Sequence, residues 1–341
     1  MKVDDKMYMP GFFSNVFLVM ALLSLAGFVP LARSSQDDVV APTEAIELFN
    51  GKDLANFYTW LVDYKFEDPD KVFTVVDQID GAPAIRSSGQ HFGGLITRRR
   101  YTNYHLIAEF RWGSLTWGAR KNKTKDSGIL LHCQDPEGAY EPNFNGPWMR
   151  SVEFQMIQGG TGDIILVRGH SQEGQRLLPS VTATVKQNPK GEYVWDSNGV
   201  QRTFDGGRIN WYGRDPDWKD ELDFRGKQDL EKPYGQWNRL EAFCDGDTLT
   251  YFVNGTIANK ATRSSLTQGK LLLQSEGAEV FFRRVQLHPL QKQAKESLLH
   301  RLSFFGPAFT TQLSTASACG GCLSFPDSSL ESQPTHLHPA R

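Results

Sequence analysis

Six polar side chains stand at alternate positions of three short runs, and together they form an acid–base inventory. Glu153 and Gln155 share a face with Ser151, opposite Val152, Phe154 and Met156. Asp126 and His132 share a face with Gly128, opposite Ile129, Leu131 and Cys133. Glu109 and Arg111 share a face with His105, opposite Tyr104, Leu106, Ala108, Phe110 and Trp112. Carboxylates take protons, an imidazole gives one or polarises an oxygen, and amides or guanidinium groups bind hydroxyls and developing negative charge.

A period of two with one apolar face requires strands half-buried in an antiparallel sheet. The bland reading of the same pattern is that outward residues are polar because they face water. The surrounding chain agrees with an all-β sandwich. Trp237 to Cys244 is a strand, Asp245-Gly-Asp247 a turn, Leu249 to Val253 the return strand, and Asn254-Gly255 turns again. Lys270 to Ser275 and Glu279 to Leu287 supply two further strands around Glu276-Gly277. Arg168 to Gln236 is irregular but aromatic, with Trp195, Trp211, Tyr212 and Trp218. It is expected to be structured loops with some strand over one end or face of the sandwich.

The chain of 341 residues divides into three parts. Residues 1–38 read as a secretory signal: Lys2 and Lys6, an apolar run from Val16 to Val29, then Pro30-Leu-Ala-Arg-Ser-Ser35. The run is short for a membrane span, so the mature protein is expected to be exported, periplasmic or extracellular, without a stable span; an uncleaved anchor is the alternative. Residues 39–290 form the folded domain. Residues 291–341 read as one short amphipathic helix and a disordered tail rich in Ser, Thr, Pro and Gly. A net charge of -2 gives no reason to expect nucleic acid as a partner. Cys133 and Cys244 read as buried free thiols, with a disulfide between them the alternative in an exported protein, and Cys319-Gly-Gly-Cys322 alone is weak evidence for zinc or redox work.

Several motifs share an order with a known family. Leu48-Phe-Asn-Gly-Lys-Asp-Leu54, Asp126-Ser-Gly-Ile129, Ser151-Val-Glu-Phe-Gln155, Gly235-Gln-Trp-Asn238, Val253-Asn-Gly255 and Leu273-Gln-Ser-Glu-Gly277 with Val280-Phe-Phe-Arg283 resemble, in sequence order, the 3-keto-disaccharide hydrolase domain family. The resemblance covers roughly residues 46 to 290. It implies a concanavalin A-like jelly-roll β-sandwich with long loops over a concave, sugar-binding face. Two features depart from it: residue 126 is Asp where the family usually has Asn, and the segment Trp112 to Lys125 is longer than in many members.

A retaining glycosidase needs two carboxyls about 5–5.5 Å apart. Laminarinase-type jelly rolls place theirs on one strand as Glu-x-Asp-x-Glu, where this chain has Glu153-Phe-Gln-Met-Ile157, a single carboxylate. Standard hydrolysis would need Glu109 or Asp126 from another strand. The substrate class that the resemblance implies asks for less. A C3 carbonyl acidifies the C2 proton, one base forms an enolate, and the C1 oxygen leaves by elimination.

On this reading Glu153 is the base, and Gln155 binds hydroxyls or the enolate oxygen. His132 is the acid or electrophile, Asp126 orients His132 or binds a hydroxyl, and Glu109 with Arg111 completes the site. Trp117, Tyr140 and Trp148 lie in flanking loops, where rings stack on sugar C–H faces or simply anchor the loops. A divalent metal held by His132, Glu153, Asp126 and Glu109 is a further option, without any H-E-x-x-H spacing to support it. Gly159-Gly-Thr-Gly-Asp163 reads as a hairpin turn rather than a phosphate loop. A non-catalytic carbohydrate-binding module on the same sandwich, and a scaffold that engages a partner through its tail, are the rival readings.

Overall fold

The apolar halves of the alternating runs meet between two antiparallel sheets. A computed structural model describes residues 38–290. The eight-stranded sheet runs Thr256–Ala261, Thr248–Val253, Asn238–Asp245, Tyr104–Thr116, Ala278–Pro289, Ala82–Ser87, Phe73–Ile79, with Ile46–Glu47 beside Ala278–Pro289. The nine-stranded sheet runs Val39–Val40, Arg100–Thr102, Gln268–Ser275, Asp126–Gln134, Arg150–Ile157, Ile164–Val167, Gly207–Ile209; Gly93–Thr97 and Phe57–Leu61 branch from Gln268–Ser275. Within these two sheets, among the described residues, only Val39–Val40 pairs in parallel, with Arg100–Thr102. The fold is a jelly-roll β-sandwich. Its regular structure among the described residues is strand, apart from one 3₁₀ turn at Gly118–Arg120.

Leu106, Ala108 and Phe110 from one sheet and Ile129, Leu131, Val152, Phe154 and Met156 from the other share the inter-sheet core, with Phe154 stacked on Tyr251 at 4.2 Å. Burial of such side chains is worth roughly 1.5–3 kcal/mol each and fixes the register, since a one-residue slip would turn Glu153 inward. A smaller apolar cluster, with Trp60, Leu130, Cys133, Trp148 and Leu272, lies on the outer face of the nine-stranded sheet. The span from Arg168 to Gln236 contains more strand than expected, including a small sheet of Tyr193–Trp195, Val181–Gln187 and Val200–Phe204. Cys133 and Cys244 are buried free thiols.

Two local departures from the simple alternation matter. First, His132 has a φ of 55°, and pairing of its strand with Arg150–Ile157 and with Gln268–Ser275 is irregular at this point. This bulge exchanges the two faces, so Cys133 leaves the parity of Leu131 and joins the outer cluster, while His132 turns toward Tyr104 in the core. Second, Glu276-Gly277 is no hairpin. The strands on either side of it belong to different sheets, so this turn crosses one end of the sandwich. The tail and its Cys-Gly-Gly-Cys, and all but the last residue of the segment read as an export signal, lie outside the described residues. Among the described residues, no helix is long and apolar enough to cross a membrane.

Candidate functional site

A cleft of about 420 Å³ opens on the outer face of the nine-stranded sheet. Its floor comes from three adjacent strands. Arg150–Ile157 supplies Glu153 and Gln155, Asp126–Gln134 supplies Asp126, and Gln268–Ser275 supplies Gln274. Glu276 follows directly, on the turn that crosses between the sheets. Gln155 lies opposite Gly128 and Ile157 opposite Asp126 in the ladder. A Cβ at residue 128 would stand 2.3 Å from Glu153 Oε1 and 3.0 Å from Gln274 Oε1. Glycine there leaves the room in which these two side chains meet.

The turn at Glu276-Gly277 is held by its neighbours. Gly277 has a φ of +78°, and a Cβ on it would lie 2.8 Å from the Arg120 side chain. Trp117 braces the turn, its amide donating to Gly277 O at 2.7 Å and its indole Nε1 to Ser88 O at 2.9 Å. Arg120 crosses this turn to pair with Asp126, and its Nη1 donates to Asp220 Oδ1 at 2.9 Å. Gln155 Nε2 donates to the other Asp126 oxygen at 3.0 Å. The charge that Asp126 adds is therefore matched by an arginine from the long segment preceding it.

Glu153 is 4% exposed, and its Oε1 has no partner. Burial pushes its carboxyl well above the usual range and the nearby Glu276 charge adds to this, while Arg208 and Gln274 oppose it only in part. Glu276 is pushed up to about 7, again by burial, with Arg120 and Arg208 pulling the other way. Gln155 Oε1 and Gln274 Oε1 are likewise buried without a partner. Unpartnered buried acceptors are costly, and a ligand hydroxyl that donates to them removes the cost. Arg208 is tethered from behind by the fully buried Asp163, which also holds Arg214 Nη1 at 2.9 Å and accepts from the Trp211 amide at 2.8 Å. Asp163 ends the Gly159-Gly-Thr-Gly turn, which joins two antiparallel neighbours as a hairpin. Tyr140, Trp148 and Arg168 form another wall, with the Arg168 guanidinium 3.8 Å from the Tyr140 ring centroid.

Of the residues expected from sequence, the cleft brings together Glu153, Asp126, Gln155, Tyr140 and Trp148. Four others lie elsewhere. His132 is fully buried in the core, with Nδ1 2.9 Å from Leu266 O; burial lowers its pKa to about 4, and the bulge is what turned it inward. Glu109 and Arg111 belong to the other sheet. Glu109 there accepts from Arg283 Nε at 2.7 Å and Arg284 Nη1 at 3.0 Å, and Arg111 pairs with Asp80. Trp117 supports the turn and does not line the cleft. The metal-ligand set imagined from His132, Glu153, Asp126 and Glu109 is therefore dispersed. Among the described residues no cluster of three or more His, Cys, Asp or Glu is placed to hold a metal.

Gln274, Glu276, Arg120 and Arg208 are cleft residues that the sequence did not single out as functional. Gln274 and Glu276 left a usable signal, two polar residues at i and i+2 directly after Leu271-Leu-Leu273 and before a glycine turn. Arg208 left none, since only folding brings it beside Glu153.

The chain belongs to the family of 3-keto-alpha-glucoside-1,2-lyase-like domains, whose sequence model matches residues 44–288. Membership makes it a carbohydrate-active protein. No curated protein matches the chain significantly. A candidate glycosyl hydrolase of known structure from Parabacteroides distasonis is 17% identical, the match covering 73% of this chain and 94% of that one, with a TM-score of 0.41. A Bacillus licheniformis β-glucanase is 10% identical over 73% of this chain and 99% of that one, with a TM-score of 0.36. A Bacillus subtilis carbohydrate-binding module is 10% identical over 63% and 91%, with a TM-score of 0.33. These overlaps are loose, and the fold rests on the strand order itself.

Proposed function

We propose that this protein cleaves the glycosidic bond of 3-keto-glycosides by abstracting the C2 proton and eliminating the C1 oxygen. The observation that carries the reading is the pair Glu153 and Glu276, two carboxyls in one cleft whose pKa values are both raised. A retaining hydrolase needs one carboxylate reliably ionised as nucleophile. Burial works against that state in both acids, and the remaining carboxylate, Asp126, is held by Arg120 and Gln155. Two acids whose pKa values are both raised suit proton transfer instead.

The roles follow from environment. Glu276, at about 7, is the base that takes the C2 proton. Glu153, kept protonated by burial, gives its proton to the departing C1 oxygen. This exchanges the part that alternation alone suggested for Glu153. The C2–H electron pair becomes the C1–C2 double bond conjugated with the C3 carbonyl as the C1–O bond breaks. Water adding to C1 afterwards gives net hydrolysis. Arg208, the cation acting on both carboxyls, and Arg120, which acts on Glu276, stabilise the enolate oxygen. The unpartnered oxygens of Gln155 and Gln274 accept from sugar hydroxyls.

The test offers the full chain a panel of 3-keto-disaccharides beside their unoxidised parents, with products followed by mass spectrometry. Cleavage of the keto forms alone supports the reading. Binding of sugars with no cleavage of any would assign the cleft to a carbohydrate-binding module.

A further inference from the structure

The walls of the cleft are rich in guanidinium. Arg120, Arg168, Arg176 and Arg208 line it together with three acids, Asp126, Glu153 and Glu276. Asp126 is already matched by Arg120, and burial works against the charged form of Glu153 and Glu276. Three of the arginines have an acid behind them. Arg120 bonds Asp220 at 2.9 Å, Arg168 bonds Glu141 at 2.9 Å, and Arg208 shares Asp163 with Arg214.

Arg176 differs. It sits exposed on the two-residue strand Arg176–Leu177 at the open end, and no acid pairs with it among the described residues. Its backbone is paired with His170, whose Nδ1 lies 3.0 Å from Ala139 O. The hairpin is thereby fastened to the loop that carries Tyr140 and, stacked on it, Arg168. Arg168 Nη1 donates to Tyr140 OH at 2.9 Å, which holds the guanidinium in place. A guanidinium without an acid partner in a half-enclosed cleft attracts an incoming anion. Guanidinium forks also match the two oxygens of a carboxylate or sulfate. A neutral sugar would leave Arg176 without a charge partner.

We propose that the sugar this cleft takes carries an anionic substituent, a ring carboxylate or a sulfate ester, seated against Arg176 and Arg168 beside the two carboxyl groups. The inference rests on reading the cleft as a glycoside site, and it adds the charge class of the glycoside. The anionic group is an anchor and takes no part in bond breaking.

Calorimetry on the full-length protein tests it with ligands that carry no C3 ketone, so that no turnover is needed. The set is a neutral disaccharide, its uronate counterpart oxidised at C6, and its C6 sulfate ester. At least one anionic member is expected to bind about tenfold more tightly than the neutral one at low salt. The advantage shrinks as salt is added and falls to about threefold or less in Arg176→Gln. Which anion gains identifies the substituent. Equal binding of the neutral sugar, no binding of either anion, or an advantage untouched by salt and by Arg176→Gln would each overturn the inference. Turnover of neutral 3-keto-disaccharides without charge preference would remove this inference and leave the function standing. Charge-selective binding without turnover of any 3-keto sugar would do the reverse.

Discussion

On the outer face of the eight-stranded sheet, the acids answer one another's needs. Glu109 is held by Arg283 and Arg284, Glu279 by Arg86 and the Ser114 amide, and Glu241 by His105 and Arg239. Burial pushes Glu241 upward, yet His105 and Arg239 outweigh it and bring the carboxyl down to about 2. On the outer face of the nine-stranded sheet, Glu153, Gln155 and Gln274 each keep a buried oxygen without a partner, and both cleft glutamates are shifted up. The same alternation built both faces. What separates them is whether the polar groups satisfy each other or wait for something else, and the second condition marks a site.

Paired substitutions sharpen the contrast, beginning with the largest effect. Glu153→Gln keeps the shape and replaces a carboxyl whose charged form burial disfavours. Turnover of a 3-keto-disaccharide should fall by about 10²–10⁴-fold while the melting temperature is unchanged or rises. A variant with full turnover would remove Glu153 from the mechanism.

Glu276→Gln should lower kcat by a similar or smaller factor, about 10²-fold or more, and abolish a pH limb near 7 seen in the wild type. It also carries a stability signature. A carboxyl whose folded pKa is raised binds its proton more tightly in the folded state. The stability this gives is present below the ordinary value of 4.5 and is lost as pH rises through about 7. Relative to wild type, Glu276→Gln should therefore melt higher at pH 8 than at pH 4. Parallel melting curves at the two pH values would contradict the raised pKa.

His132 tests the opposite fate, a titratable residue absorbed by the core. Its folded pKa of about 4 lies below the ordinary 6.5, so the stability it contributes is present above 6.5 and lost as pH falls toward 4. Asparagine tolerates the positive φ at this position. His132→Asn should flatten the dependence of melting temperature on pH between those values and leave the pH profile of turnover in place. A changed activity profile would return His132 to the site.

The smallest effect belongs to the self-satisfied face. Glu109→Gln should cost about 1 kcal/mol of stability in denaturant titration, since it weakens two arginine contacts, and should leave turnover at wild-type level. A loss of activity comparable to that of Glu153→Gln would erase the distinction between the faces.

Much of this was legible before folding, and the failures have physical causes. The alternation of Tyr104 to Trp112 and of Ser151 to Met156 gave the correct core faces, because apolar burial enforces a period of two. The Asp245-Gly-Asp and Asn254-Gly turns marked true hairpins. Alternation carries no information on which sheet a strand joins, so Glu109 and Arg111 could not be separated from Glu153 and Gln155. It also fails at a bulge, where one extra residue exchanged the faces of His132 and Cys133. Glu276-Gly277 has the composition of a hairpin turn, and only the strand order shows that it crosses between sheets and so carries a carboxyl to the cleft. Arg208 and Arg120 come from a distant strand and an irregular segment, where no local period exists to point at them.

The most direct measurement uses a 3-keto-disaccharide deuterated at C2, incubated with the full chain in ordinary water and followed by NMR and mass spectrometry. The account predicts that glycosidic cleavage is accompanied by loss of the C2 deuterium to solvent, with both lost together in Glu276→Gln. Cleavage that leaves the C2 deuterium in place would contradict proton abstraction at that carbon and return the cleft to ordinary glycoside hydrolysis.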